Sequence, residues 1–91
     1  MPTITKDLII INKRGLHARA SAKFVQTVEK FRATVSVSRE GTTVGGNSII
    51  GLMMLTASLG SIIRISATGP QAVEAFNAIE QLIINRFYEE S

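Results

Sequence analysis

Gly15-Leu16-His17-Ala18-Arg19-Ala20 runs directly into a helical apolar pattern formed by Ala20, Phe24, Val25, Val28 and Phe31. The spacing predicts a helix over residues 18–30, with those five residues turned inward and Lys23, Gln26, Glu29 and Lys30 facing water. His17 then falls at or just before a helix N-terminus. Unpaired backbone N–H groups, the positive end of the helix dipole and the Arg19 guanidinium converge on a single imidazole. Such surroundings suit a negative charge on or beside the ring.

Upstream, residues 3–11 are rich in Ile and Thr and read as a strand. Ile4, Leu8 and Ile10 share one face, and Lys6 is the exception on it. Residues 12–15 form a polar loop that ends in glycine. Downstream, residues 33–38 alternate strictly, as a half-buried strand does. Residues 39–42 make a hairpin turn around Gly41, residues 42–44 return as a short strand, and Gly45-Gly46 breaks it. Asn47 or Ser48 can cap a helix over residues 49–59, which contains Gly51 and stops at Gly60. Residues 61–67 are a strand with Ile63, Ile65 and Ala67 on one face. Pro70 suits the start of a last helix over residues 71–87, lined inside by Ala72, Ala75, Phe76, Ile79, Leu82 and Ile83. Residues 89–91 are expected to fray.

The order βαββαβα within 91 residues predicts one α+β domain spanning residues 1–91. It is an open-faced sandwich in which three helices cover one face of a four-stranded antiparallel sheet. The other face is left to water, and Thr34, Ser36, Ser38, Arg64 and Ser66 are placed to occupy it.

Composition narrows the chemistry. The hydrophobic share of 45% is enough for one core. Cysteine is absent, so disulfides and thiolate metal sites are excluded, and a lone histidine excludes a histidine-cluster zinc site. No cofactor and no metal are expected. Ten Lys and Arg against seven Asp and Glu give +3, a mild surplus that favours an acidic partner. The bases are scattered and aromatics are 5%, which argues against nucleic acid. The opening MPTITKD has no charged segment followed by an apolar run, and no apolar stretch matches a membrane span. The expectation is a cytoplasmic monomer with no membrane insertion.

Two motifs in register carry a family resemblance. Gly15-Leu16-His17-Ala18-Arg19 resembles the active-site segment of HPr, the histidine-containing phosphocarrier of the phosphoenolpyruvate-dependent phosphotransferase system. Asn47-Ser48-Ile49-Ile50-Gly51-Leu52-Met53-Met54-Leu55 resembles the second signature of that family, a serine opening a short apolar helix. Motif separation, chain length and element order agree, so the resemblance spans essentially the whole chain. One departure is Ala20, where the family commonly has proline. Alanine is a good helix former but a weaker helix opener, so helix initiation should loosen while phosphate contacts stay.

The resemblance implies a stoichiometric carrier with no catalytic turnover of its own. Phosphoryl arrives from enzyme I on Nδ1 of His17 and leaves to an enzyme IIA-type acceptor. Arg19 pairs with the phosphoryl oxygens, and the N–H groups of Ala18 and Arg19 point at them. Ser21 and Arg14 are further candidates for contact. Ile49, Ile50 and Met53 would lie beside His17 as the docking surface, with Lys23 adding a basic contact. Ser48 is a helix cap, and in part of the family the matching serine is also the target of an HPr kinase/phosphorylase. A regulatory, nitrogen-type relay uncoupled from sugar uptake and a binding module whose histidine is never phosphorylated are the competing readings.

A phosphoryl group needs in-line placement and charge stabilisation more than covalent help. A helix N-terminus contributes about 0.3–1 kcal/mol to an anion, and about 2 when partly buried. That is too little to trap the group, which suits a carrier.

Overall fold

The computed structural model describes residues 2–89. Strands β1 (Thr3–Ile9), β2 (Thr34–Arg39), β3 (Thr42–Gly45) and β4 (Ile62–Thr68) form one antiparallel sheet in the order β1-β4-β2-β3. Helices α1 (Ala18–Val28), α2 (Ile49–Met54) and α3 (Ala72–Ile84) complete the βαββαβα order. The open-faced α+β sandwich expected from the pattern is the fold observed.

Alternation explains the layering. Val35 and Val37 of β2 and Ile63, Ile65 and Ala67 of β4 are buried, and Ile4 and Leu8 of β1 pack against the same core. Ala20, Phe24, Val25 and Val28 of α1 meet them, as does the predicted inner stripe of α3. Phe31, past the end of α1, is only half-buried. Lys6 shares the inward face of β1 by carrying its ammonium to 5.6 Å from the Phe76 ring centroid, so its charge rests on an aromatic face. The opposite face carries a polar ladder. Thr3 pairs with Thr68, Thr5 with Ser66, Ser38 with Thr43, and Arg64 Nε donates to Asp7 at 2.8 Å. That bond holds the Asp7 carboxyl below its ordinary range and raises Arg64.

Several element ends differ from the sequence pattern, α1 among them, which stops at Val28. β1 stops at Ile9, because Ile10 leaves the β1–β4 ladder for the loop before β4: its N–H bonds Ser61 O and its carbonyl accepts from Gly60. α2 is six residues long instead of eleven. The chain turns at Thr56, with φ +49°, and brings the Ala57 carbonyl to the Leu16 N–H at 2.9 Å. Gly60 is therefore a turn residue and caps no helix. Pro70 lies in the turn before α3, whose N-cap is Gln71. α3 ends at Ile84, and Arg86, Phe87 and Tyr88 follow with φ of 55°, 54° and 55°, one left-handed turn made without glycine. Such a turn costs about 1–2 kcal/mol per residue. Burial of Phe87, 2% exposed, offsets part of that.

Candidate functional site

His17 is the N-cap residue of α1, with extended backbone (φ −74°, ψ −179°). Its carbonyl accepts the first helical bond, from Ser21 N–H at 2.9 Å. The amides of Ala18, Arg19 and Ala20 fall in the first turn, where the helix supplies no acceptor, and none of them has one among the described residues. Helix initiation survives alanine at position 20: α1 opens at Ala18 and Ala20 is buried.

The loop ahead of the helix is fixed by close backbone approach. Gly15 has φ +61°, and a Cβ there would overlap the Ala57 carbonyl and come within 2.8 Å of Ser58 Cα. Only glycine fits both constraints, which sets the angle at which residues 16 and 17 meet the helix. Asn12, 1% exposed, closes the loop by donating from Nδ2 to the Gly15 carbonyl at 2.9 Å.

Against this junction lies a residue the sequence pattern had assigned to a frayed end. The left-handed turn sends Glu89 back onto His17. Glu89 Oε2 accepts from Asn12 Nδ2 at 2.8 Å and lies 3.0 Å from His17 Nε2, while Oε1 accepts from the Arg14 N–H at 3.2 Å. The side chains of His17 and Glu89 are 19% and 10% exposed. Glu89 is thus a seated carboxylate; the other two residues of the expected fray, 90 and 91, lie outside the described part. Both neighbours of Asn12 Nδ2 are acceptors, so the amide orientation is unambiguous. Nδ1 of His17 makes no hydrogen bond among the described residues.

The Asn12 bond, more than any other contact, lowers the Glu89 carboxyl below its ordinary range. Desolvation opposes it, and the Arg14 amide and His17 act in the same direction as Asn12. A carboxyl depressed on folding contributes stability that is complete above its unfolded pKa and is lost as pH falls through the folded value. The clasp should therefore stay shut as pH drops through 4.5, the ordinary value, and open only at lower pH. The Asn12 side-chain amide resonances, followed by acid titration, should move in that lower window; movement above it would contradict the assignment.

A cleft of about 380 Å³ opens over the ring, lined by Arg14, His17, Arg19, Ala20, Lys23, Phe87, Tyr88 and Glu89. Among the described residues, three cations and one carboxylate border it. Arg14 and Arg19 are exposed and have no carboxylate partner among the described residues. Lys23, expected to face water, is half-buried: its Nζ donates to the Phe87 carbonyl at 2.7 Å and lies 5.9 Å from the Tyr88 ring centroid. It secures the left-handed turn of Arg86, Phe87 and Tyr88, a hook that carries Glu89. Ser21 is not available to a ligand, being fully buried with its hydroxyl donating to the Leu16 carbonyl at 3.2 Å.

The second motif opens α2. Ser48 Oγ accepts from the Gly51 N–H at 2.9 Å, the expected cap, typically worth about 1 kcal/mol. α2 packs on α1 and turns Ile49, Ile50, Met53 and Met54 outward, with Ile50 71% and Met54 70% exposed. None of these residues lines the cleft.

The family model described as "PTS HPr component phosphorylation site" matches residues 4–85. The chain belongs to the HPr family. Among HPr proteins, the phosphocarrier protein HPr of Cupriavidus necator is 48% identical over 86 residues, covering 94% of this chain and 97% of its own. A crystal structure of HPr-C-His from Thermoanaerobacter tengcongensis superposes with a TM-score of 0.89 at 41% identity, over 100% of both chains. An HPr dimer from the same organism gives 0.76 at 41% identity, over 90% of this chain and 94% of that one. The HPr family is one of phosphocarriers of the phosphotransferase system, and the resemblance read from the two motifs holds. No helix among the described residues is long and apolar enough to cross a membrane.

Sequence reasoning missed Asn12 and Glu89. Asn12 looked like one polar loop residue among four. Glu89 follows Phe87 and Tyr88, and aromatics beyond an amphipathic helix were the one available sign that the chain end returns to the core.

Proposed function

We propose that His17 is the phosphoryl acceptor of a stoichiometric carrier, loaded by enzyme I and unloaded by an enzyme IIA-type protein. The observation that carries this reading is a half-buried histidine at the N-cap of α1, its Nδ1 free among the described residues, in a cleft bordered by Arg14, Arg19 and Lys23. Attack by the Nδ1 lone pair brings in three phosphoryl oxygens, acceptors to which the opening amides of Ala18 and Arg19 and the guanidinium of Arg19 can donate. Arg14 adds to the positive field. The chain contributes no turnover; the partners supply the chemistry of donation and removal.

The exposed face of α2 is the docking surface in this reading. Ile49, Ile50 and Met53 offer apolar area to a cytoplasmic partner, and a methionine adapts to donor and acceptor in turn. Lys23 contributes chiefly by holding the hook, and only secondarily by its charge. A phosphate on Ser48, placed by an HPr kinase/phosphorylase, would put negative charge at the head of that helix and weaken docking to an acidic partner. In this reading the working unit is a monomer and a single domain.

Incubation with enzyme I and phosphoenolpyruvate tests the reading. An acid-labile, base-stable mass gain on His17 is expected, and a chain that stays unmodified would refute it. Arg19→Ala should slow transfer by about 100-fold with the thermal midpoint unchanged, because Arg19 is exposed and makes no ion pair among the described residues. Stopped-flow transfer rates beside melting curves check both halves.

A further inference from the structure

The carboxylate on the far side of the ring has a consequence for which nitrogen reacts. We infer that Glu89 is a positioning residue for His17: it holds the ring proton on Nε2 and so presents Nδ1 as the nucleophile. The inference rests on the reading of His17 as phosphoryl acceptor and assigns a role to a residue outside both motifs.

Three observations converge. Glu89 Oε2 is 3.0 Å from Nε2, in a site where the carboxylate is only 10% exposed. Its other contacts are donors with fixed positions, Asn12 Nδ2 at 2.8 Å and the Arg14 N–H at 3.2 Å. Asn12 is itself held by the Gly15 carbonyl, so the carboxylate cannot follow the ring if the ring rotates. An ionised carboxylate only accepts hydrogen bonds. A neutral imidazole facing it must place its proton on Nε2, which leaves the lone pair on Nδ1. The same constraint fixes the ring plane. It plays the part a buried carboxylate plays for the base of a hydrolytic triad.

The step balances on this arrangement. The Nδ1 lone pair forms the new N–P bond. The bond from phosphorus to the donor breaks, and its electron pair stays with the donor. The ring, still protonated on Nε2, becomes formally cationic, and Glu89 faces that charge at hydrogen-bond distance. No proton has to enter or leave. On the return transfer the N–P bond breaks, its electron pair goes back to Nδ1, and the proton stays where it was.

Two variants separate this role from simple tethering of the chain end. Glu89→Leu keeps most of the bulk and removes the acceptor. Glu89→Gln keeps one: with its carbonyl oxygen toward His17 and Asn12, only the Arg14 contact is lost. Side-chain 15N spectra of His17 in the neutral-ring form should show the proton on Nε2 in the parent chain. The minor Nδ1–H form should rise severalfold in Glu89→Leu and return close to the parent level in Glu89→Gln. Transfer from phospho-enzyme I should fall about 10-fold in Glu89→Leu, the low end of the loss met when the partner that orients a metal-bound histidine is removed, and recover in Glu89→Gln. Unchanged tautomer populations in Glu89→Leu, or parental transfer rates, would overturn the inference while leaving the carrier reading intact. A parent chain that is never phosphorylated would remove the carrier reading, and the tautomer spectra would still decide whether Glu89 controls the ring.

Discussion

His17→Ala is expected to reduce phosphoryl acceptance to background while leaving the sheet and helices in place. Among the described residues no second side chain in the cleft offers an equivalent nucleophile: its other polar residues are Arg14, Arg19, Lys23, Tyr88 and Glu89. The arginines stay protonated, and Lys23 is engaged with the Phe87 carbonyl. The fold should tolerate the change because the His17 side chain is not part of the apolar core and its cap role uses the backbone carbonyl. Glu89 keeps Asn12 and the Arg14 amide as partners. Loss should appear in the mass assay with enzyme I and phosphoenolpyruvate, alongside a dichroism melt close to that of the parent. Residual acceptance above a few per cent would mean that another group carries phosphate.

The largest effect on stability is expected from Gly15→Ala. Two penalties add at this position. The left-handed backbone costs a non-glycine residue about 1–2 kcal/mol. The new Cβ would also collide with the Ala57 carbonyl and Ser58 Cα, and overpacking of this kind costs about 1–3 kcal/mol. The atoms met are backbone, so no flexible side chain can swing away. A loss of about 3 kcal/mol in urea denaturation is expected, with an unchanged slope. Transfer should slow as well, since relief of the clash means moving the loop that aims His17. Gly41, by contrast, has open space around its Cβ position, so Gly41→Ala should cost only the backbone strain and leave transfer untouched. Equal losses at the two sites would show that close approach at Gly15 is irrelevant.

Periodicity carried most of the architecture. Strict alternation from Thr34 to Ser38, the Ile63, Ile65 and Ala67 set and the inner stripe of α3 each depend on local geometry, and each lies in the core as read. The errors fall where a distant partner decides. α2 has helical composition through residue 59 but ends at Met54 because the Ala57 carbonyl is needed by the Leu16 amide, 41 residues back in the chain. α3 keeps an apolar rhythm through Phe87, yet a left-handed turn intervenes because Phe87 is buried by leaving the helix. No local pattern records either demand. The candidate site divides the same way. His17, Arg19 and the Ser48 cap sit in contiguous motifs and were legible. Asn12 and Glu89 meet across 77 positions, and neither has a neighbour in sequence that announces the other. The junction alone announces the cations around the ring; Glu89, the carboxylate that touches it among the described residues, comes from the far end of the fold.

The hook formed by Arg86, Phe87, Tyr88 and Glu89 also bears on when the protein becomes competent. On the ribosome these residues are among the last of the described chain to be made, long after His17 has emerged from the exit tunnel. The sheet itself closes late, because β4, which joins β1 to β2, ends at Thr68, and until Phe87 docks the far nitrogen of the imidazole faces water. Phe87 belongs to the core, so the carboxylate arrives with the last step of core closure, and completion of the fold and completion of the ring's surroundings are one event.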